Sequence, residues 1–163
     1  MSVEINQTSD GIVDFLSQNK VGVIATADGS GKPHAATVYF TCDRQLNIYF
    51  ITKKETQKSR NLQANPYAAV AIFDAPSQAT VQAEGPVSEV TDERQLEWIF
   101  NDIHSAAVQT NRNATPPTAQ LIAGGYIVYK ILAPTLRMAT YSPPGPADNF
   151  GNIFEVVHTA PLL

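Results

Sequence analysis

Cysteine is almost missing: Cys42 is the only one in 163 residues. No internal disulfide can form and no multi-cysteine metal site can be assembled, which suits a reducing compartment. Charge is sparse at 16%, and 11 Lys+Arg against 15 Asp+Glu leave a formal charge of -4. That balance argues against a general nucleic-acid or anionic-membrane binder, which needs a broad basic surface. Long apolar runs are also lacking. The longest, around VGVIATA from Val21, falls far short of the roughly 20 residues that span a bilayer as a helix. The opening MSVEINQTSD has neither a basic n-region nor an apolar h-region, so the expected location is the cytoplasm.

Catalytic signatures are equally scarce. His34, His104 and His158 are scattered, with no H-E-x-x-H and no i,i+4 pair, so no metal site is expected. GSGKP lacks the remainder of a phosphate-binding P-loop, and no G-x-S-x-G elbow is present. Cys42 falls in a turn with only Arg44 as a cationic neighbour in sequence, a poor setting for a nucleophilic thiolate. His34 at a strand entrance reads as a surface histidine or one facing a ligand. Trp98, at helical spacing with Phe100 and Ile103, reads as core or as dimer interface.

What is present is a 44% hydrophobic chain long enough for one domain with a full core. SDGIVDFLSQNK spaces Ile12, Val13, Phe15 and Leu16 as a short amphipathic helix ending near Asn19, capped by Ser9 or Asp10. Two β-prone runs, Val21–Ala27 and His34–Thr41, flank the hairpin signal DGSG. After a turn at CDRQ, LNIYFIT alternates Leu46, Ile48 and Phe50 with Asn47 and Tyr49.

TKKE matches a capping box with Thr52 as N-cap and Glu55 reaching back, opening a helix that Asn65-Pro66 should stop after Ala64. YAAVAIFD and ATVQAEGPVSEV are further strands, the second bent at Gly85-Pro86. TDERQLEWIFNDIHSAAV opens on Thr91 as N-cap and puts Leu96, Ile99, Phe100 and Ile103 on one face. QTNRNATPP is a loop, GGYIVYKILAP a strand, and TLRMATYS a continuation of the sheet past Pro134. The turn-rich tail PPGPADNFG reads as extended or ordered by a partner. About six strands joined by local hairpins, with two or three short helices, predict an antiparallel, barrel-like α+β domain rather than a doubly wound parallel sheet.

One local concentration stands out. Lys53, Lys54, Lys58 and Arg60 place four of the eleven cations within eight positions, directly after a strand. A strand, a threonine, a helix start and a lysine form an arrangement coherent for a phosphate monoester, because the first N–H groups of a helix lack intrahelical acceptors. A solvated charged helix face is the other reading.

In context, G-x-P-H, TVYF, IYFIT, TQKSRNL ending at NP, an AV-A-F strand and a later EG-V occur in order. From about Val21 to Val90 this resembles the FMN-binding split β-barrel family, the superfamily of pyridoxamine 5'-phosphate oxidase. The resemblance implies a mainly β, six-stranded antiparallel split barrel with short flanking helices. It implies a homodimer with FMN at the subunit interface and a small-molecule substrate.

It further implies that Thr52, Thr56, Gln57 and Lys58 hold the FMN phosphate. The isoalloxazine ring would lie against the backbone of Thr37, Val38, Tyr39 and Phe40 and of Phe50 and Ile51. Gln82 would approach the flavin's polar edge, and Tyr141 or Arg137 of a second subunit would close the site. Relatives with deazaflavin or haem supply alternative cofactors. The pattern departs from the true oxidase where Ala36 replaces a basic residue, where Gln57 replaces a cation, and where YSPPGPADNFGNIF lacks an Arg-x-His element. Oxidation of pyridoxamine 5'-phosphate itself is therefore not expected. The expected function is an FMN-dependent oxidoreductase, or else a flavin- or haem-binding module with a sensing, storage or stress role.

Overall fold

The computed structural model describes residues 9–110, 125–132, 135–140 and 154–159. The order is α1 (Ser9–Gln18), β1 (Val21–Ala27), β2 (Pro33–Cys42), β3 (Ile48–Lys53), α2 (Gln57–Ala64), β4 (Tyr67–Asp74), β5 (Ala79–Glu89), α3 (Glu93–Thr110), β6 (Tyr126–Ile131), β7 (Thr135–Thr140) and β8 (Phe154–Thr159). The sheet runs β4-β1-β2-β3-β6-β5-β7-β8, and an additional β4–β5 pairing closes the first six strands into an antiparallel barrel. The strands β7 and β8 extend from it as a ribbon. Most of the loop expected at 109–117, Tyr141 and the turn-rich tail lie outside the described residues, and α3 continues through Thr110.

Local chemistry explains the short connections. In the β1–β2 turn, the Asp28 carboxylate accepts from the N–H groups of Ser30 (2.9 Å) and Lys32 (3.0 Å), and Gly31 supplies a φ of 86°. In the β2–β3 turn, Asp43 accepts from the Asn47 backbone and side chain and from the Tyr49 hydroxyl. The expected bend at Gly85-Pro86 is realised as a change of partner. Residues 79–84 of β5 pair with β7 and residues 87–89 with β6, with one more residue on the β6–β7 side of the junction.

The interior is filled by alternate residues of β1 to β7, including Phe40, Ile48, Phe50, Ile72, Val81, Ile131 and Met138. Helix α1 adds Ile12, Phe15 and Leu16, as its spacing predicted. The expected one-sided burial of β3 is too simple. Tyr49 is buried as well, because α3 lays Ile99 and Ile103 over the outer face of β3 and β6 and forms a second cluster with Tyr49, Val90 and Val128. Trp98 meets the Tyr49 ring edge-on at 5.4 Å.

The cap of α3 is Asp92 rather than Thr91: its carboxylate accepts from the Gln95 N–H at 2.9 Å. Asp102 fastens the same helix, accepting from Lys20 at 2.8 Å and from the Thr41 hydroxyl. No helix among the described residues is long and apolar enough to cross a membrane.

Phe50 is fully enclosed and stacks at a tilt on Tyr129, with ring centroids 5.6 Å apart. Phe50→Ala should therefore cost about 3–5 kcal/mol, to be read as a lowered denaturant midpoint.

Candidate functional site

Strands β2 and β3 pair over only three positions, Phe40 with Phe50, Thr41 with Tyr49 and Cys42 with Ile48. Beyond them the strands part. Residues 33–39 of β2 stay with β1, and Ile51, Thr52 and Lys53 of β3 stay with β6. The barrel is split along this line. The Phe40 N–H donates toward β1, to the Lys20 carbonyl at 3.0 Å. Strand alternation then directs the backbone groups of Thr37 and Tyr39 away from β1, into the gap. Among the described residues that edge has no strand partner.

Helix α2 bridges the split. Its N-cap is Thr56, whose hydroxyl accepts from the Ser59 N–H at 3.3 Å. The capping box on Thr52 is thus corrected. Thr52 belongs to β3, paired with Ile127, and its buried hydroxyl lies 2.9 Å from that of Thr56. The helix starts one turn later than TKKE suggested, because the β3–β6 ladder holds residue 52 extended. It ends at Ala64, as Asn65-Pro66 predicted.

On the inner face of α2, buried Ser59 reaches the Tyr129 hydroxyl of β6 at 3.2 Å, and buried Asn61 donates to Thr26 of β1 at 3.1 Å. At about 100° per residue, Lys58 projects between these two anchors and on the same face as buried Leu62. Its side chain is half-buried on that face, in the first turn of α2. Desolvation lowers its pKa below the ordinary lysine value. Among the described residues its ammonium has no carboxylate partner, since the ion pair found there is Lys20–Asp102.

The other expected site residues divide between two places. Thr37 is exposed at the gap edge, while the Val38 side chain is inside the barrel. Tyr39 and Ile51 pack against the α3 cluster, and Phe50 fills the core. Gln57 is exposed, donating to Asn61 at 2.7 Å and accepting from Arg60 at 2.9 Å. Sequence reasoning missed Ser59 and Asn61, two small polar residues whose burial depends on strands far away in the chain.

Gln82 sits elsewhere. Pairings carry one cross-strand row from Thr37 through Val23 and Ala71 to Gln82 and Arg137. Gln82 is thus three strand spacings, about 14 Å, from Thr37. With Glu84 and Arg137 it edges a hollow of about 270 Å³ floored by Val23, Ala25, Ala69 and Ala71. This outer face carries exposed Val21, Val23, Tyr67 and Phe73, the last two 56% and 58% accessible. Cys42 is an unpromising nucleophile, since burial pushes its thiol up to about 11. Among the described residues no group of three or more His, Cys, Asp or Glu is placed to hold a metal ion.

Known proteins share this fold. A pyridoxine/pyridoxamine 5'-phosphate oxidase of Pseudomonas putida is 36% identical over 75 residues, which cover 46% of this chain and 35% of that relative. The chain thus spans about a third of that relative's length. A crystal structure from Listeria innocua, named as a candidate pyridoxamine 5'-phosphate oxidase, superposes with a TM-score of 0.62 at 28% identity, over 80% of this chain and 96% of that one.

The same fold occurs in an FAD-binding protein of Mesorhizobium loti (TM-score 0.64, 17% identity, 83% of this chain and 96% of that one). It occurs also in a heme binding protein of Mycobacterium smegmatis (TM-score 0.64, 16% identity, 96% and 60%). The family model described as pyridoxamine 5'-phosphate oxidase matches residues 8–123. The chain, with its barrel parted between β2 and β3 and the gap bridged by α2, belongs to the pyridoxamine 5'-phosphate oxidase family.

Proposed function

We propose that this protein is an FMN-dependent oxidoreductase acting on a small organic molecule other than pyridoxamine 5'-phosphate. The observation that carries the reading is Lys58: a half-buried ammonium without a counter-charge among the described residues, in the first turn of α2. A phosphate there would accept from Lys58, and from the Thr52 and Thr56 hydroxyls once these turn from their present partners, each other and the Lys53 carbonyl. The donor set suits one phosphate monoester. The open backbone edge of Thr37 and Tyr39 would meet the polar rim of a flat ring lying in the gap. A bound flavin supplies the redox chemistry; the chain's part is to bind, orient and shield it.

Ala36 and exposed Gln57 stand where the true oxidase has cations. The loss of those cations leaves Lys58 nearly alone as the cationic clamp for the phosphate, while the lack of an Arg-x-His element in YSPPGPADNFGNIF supports a different substrate.

The reading includes a homodimer. The bare face bearing Val21, Val23, Tyr67 and Phe73 is a natural seat for a second copy. That copy would bring its own Gln82 and Arg137 toward a flavin held by the first. The second reading, a flavin- or haem-binding module without turnover, draws on the heme-binding neighbour of the same fold. Purified protein should be yellow and release FMN on denaturation. Steady NADH or NADPH consumption with an added acceptor favours the enzyme, whereas binding without consumption favours the module.

Two opposite effects are expected of Lys58. Lys58→Met should weaken FMN binding about ten- to a hundredfold, the usual worth of a charge-assisted contact, while leaving riboflavin binding little changed. Equal retention of FMN by this variant would sink the phosphate assignment. The same variant should raise the melting temperature of flavin-free protein at pH 7. A lysine whose folded pKa is lowered carries its burial cost while charged, below the folded value. That cost is relieved as pH rises through the folded pKa toward the unfolded value of about 10.4. The stability gain of Lys58→Met should accordingly shrink toward pH 10, as thermal melts across that range would register.

A further inference from the structure

Lys53 and Lys54 are cations beside the helix mouth that have no part in the site itself. Their backbones are fixed: Lys53 ends β3 opposite Tyr126, its carbonyl accepting from the N–H (3.3 Å) and the hydroxyl (3.0 Å) of the N-cap Thr56. The Lys54 N–H donates to the Gly125 carbonyl at 2.9 Å. Their side chains are exposed, and among the described residues neither ammonium has a carboxylate partner. Arg60, by contrast, is turned back onto its own helix, donating to the Glu55 carbonyl at 2.5 Å and to Gln57 at 2.9 Å.

Residues 53–60 thus hold four cations against the single acid Glu55, within a chain of formal charge -4. This local reversal of sign is placed within about one helical turn of the helix mouth. Exposed ammonium groups at that distance contribute little to holding a ligand, because water and salt screen them. They act instead on diffusing anions before contact.

We propose that Lys53 and Lys54 form a capture site that draws the phosphate end of an incoming cofactor to Lys58, setting how fast it enters rather than how slowly it leaves. The proposal rests on the assignment of the gap as a flavin-phosphate site. It divides labour along the cluster: two outer lysines for encounter, one half-buried lysine for retention.

The test is stopped-flow mixing of flavin-free protein with FMN and, separately, with riboflavin, which has no phosphate, followed by flavin fluorescence. The FMN association rate should fall between about 10 mM and 150 mM salt, as the screening length drops from about 30 Å to about 8 Å. The double variant Lys53→Gln/Lys54→Gln should lower the FMN association rate about three- to tenfold at low salt. Its dissociation rate should stay within about twofold of wild type, and its riboflavin rate should be unaltered. An unaltered FMN rate, or an equal loss for riboflavin, overturns the capture role while the flavin reading stands on wild-type binding. Wild-type protein that binds neither flavin overturns both. Circular dichroism of the double variant confirms that the exposed substitutions leave the fold in place.

Discussion

The separation of β2 from β3 is the constraint on which the rest of the structure depends. Six strands close the barrel, yet β2 gives only three of its ten residues to β3. An opened seam exposes backbone donors and acceptors and invites collapse or edge pairing. Here a short helix is tied by polar anchors to the strands flanking β2 and β3, Ser59 to Tyr129 of β6 and Asn61 to Thr26 of β1. These bonds are buried, so each must be satisfied across the seam for the others to be tolerated. Lys58 falls between the two anchors around the helix axis, on the face that also carries buried Leu62. The position of the cation is therefore a consequence of how the seam is kept apart.

A lysine in that position is a cost to stability. Its ammonium is partly stripped of water and has no carboxylate partner among the described residues. The rest of the inner face of α2 shows how such a site would be settled for stability alone: Ser59, Asn61 and Leu62 are buried and partnered or packed. Strain or unmatched polarity that persists inside an otherwise consistent structure points to function. The same contrast appears in Asp102. Burial pulls its pKa up, but the Lys20 and Thr41 hydrogen bonds outweigh that and hold it below the ordinary carboxylate value. Among the described residues Asp102 has its partners, whereas Lys58 has no carboxylate.

Much of this architecture was legible from local pattern. The span of α1, the end of α2 at Asn65-Pro66, the bend in β5 and the apolar face of α3 all follow from periodicity, proline and glycine. The misreadings share one cause. TKKE has the form of a capping box, but tertiary pairing of Thr52 with Ile127 outcompetes the local cap, and Thr56 inherits the role. Tyr49 sits at an apparently outward position of β3, but α3 covers that side. Ser59 and Asn61 are polar residues in a polar helix. Only the approach of β1 and β6, separated by more than a hundred positions in sequence, makes them interior. A pattern read along the chain does not carry such contacts.

The two outer faces of the barrel are treated unequally, and this bears on the proposed site. The face of β3 and β6 is roofed by α3, whereas the face of β1, β4 and β5 carries valine, tyrosine and phenylalanine in the open. Thr37 at the seam and Gln82 on β5 lie on one row but three strand spacings apart, about 14 Å. A flavin lying in the gap along β2, its phosphate at Lys58, is turned away from the Gln82 of the same chain by the intervening strands β1 and β4. Gln82 can then contact that flavin only if it is supplied by a second copy seated on the bare face. The assignment of Gln82 to the cofactor and the proposal of a homodimer are thus one claim: a monomer that retained FMN fully would remove Gln82 from the site, while leaving Thr52, Thr56 and Lys58 where they are.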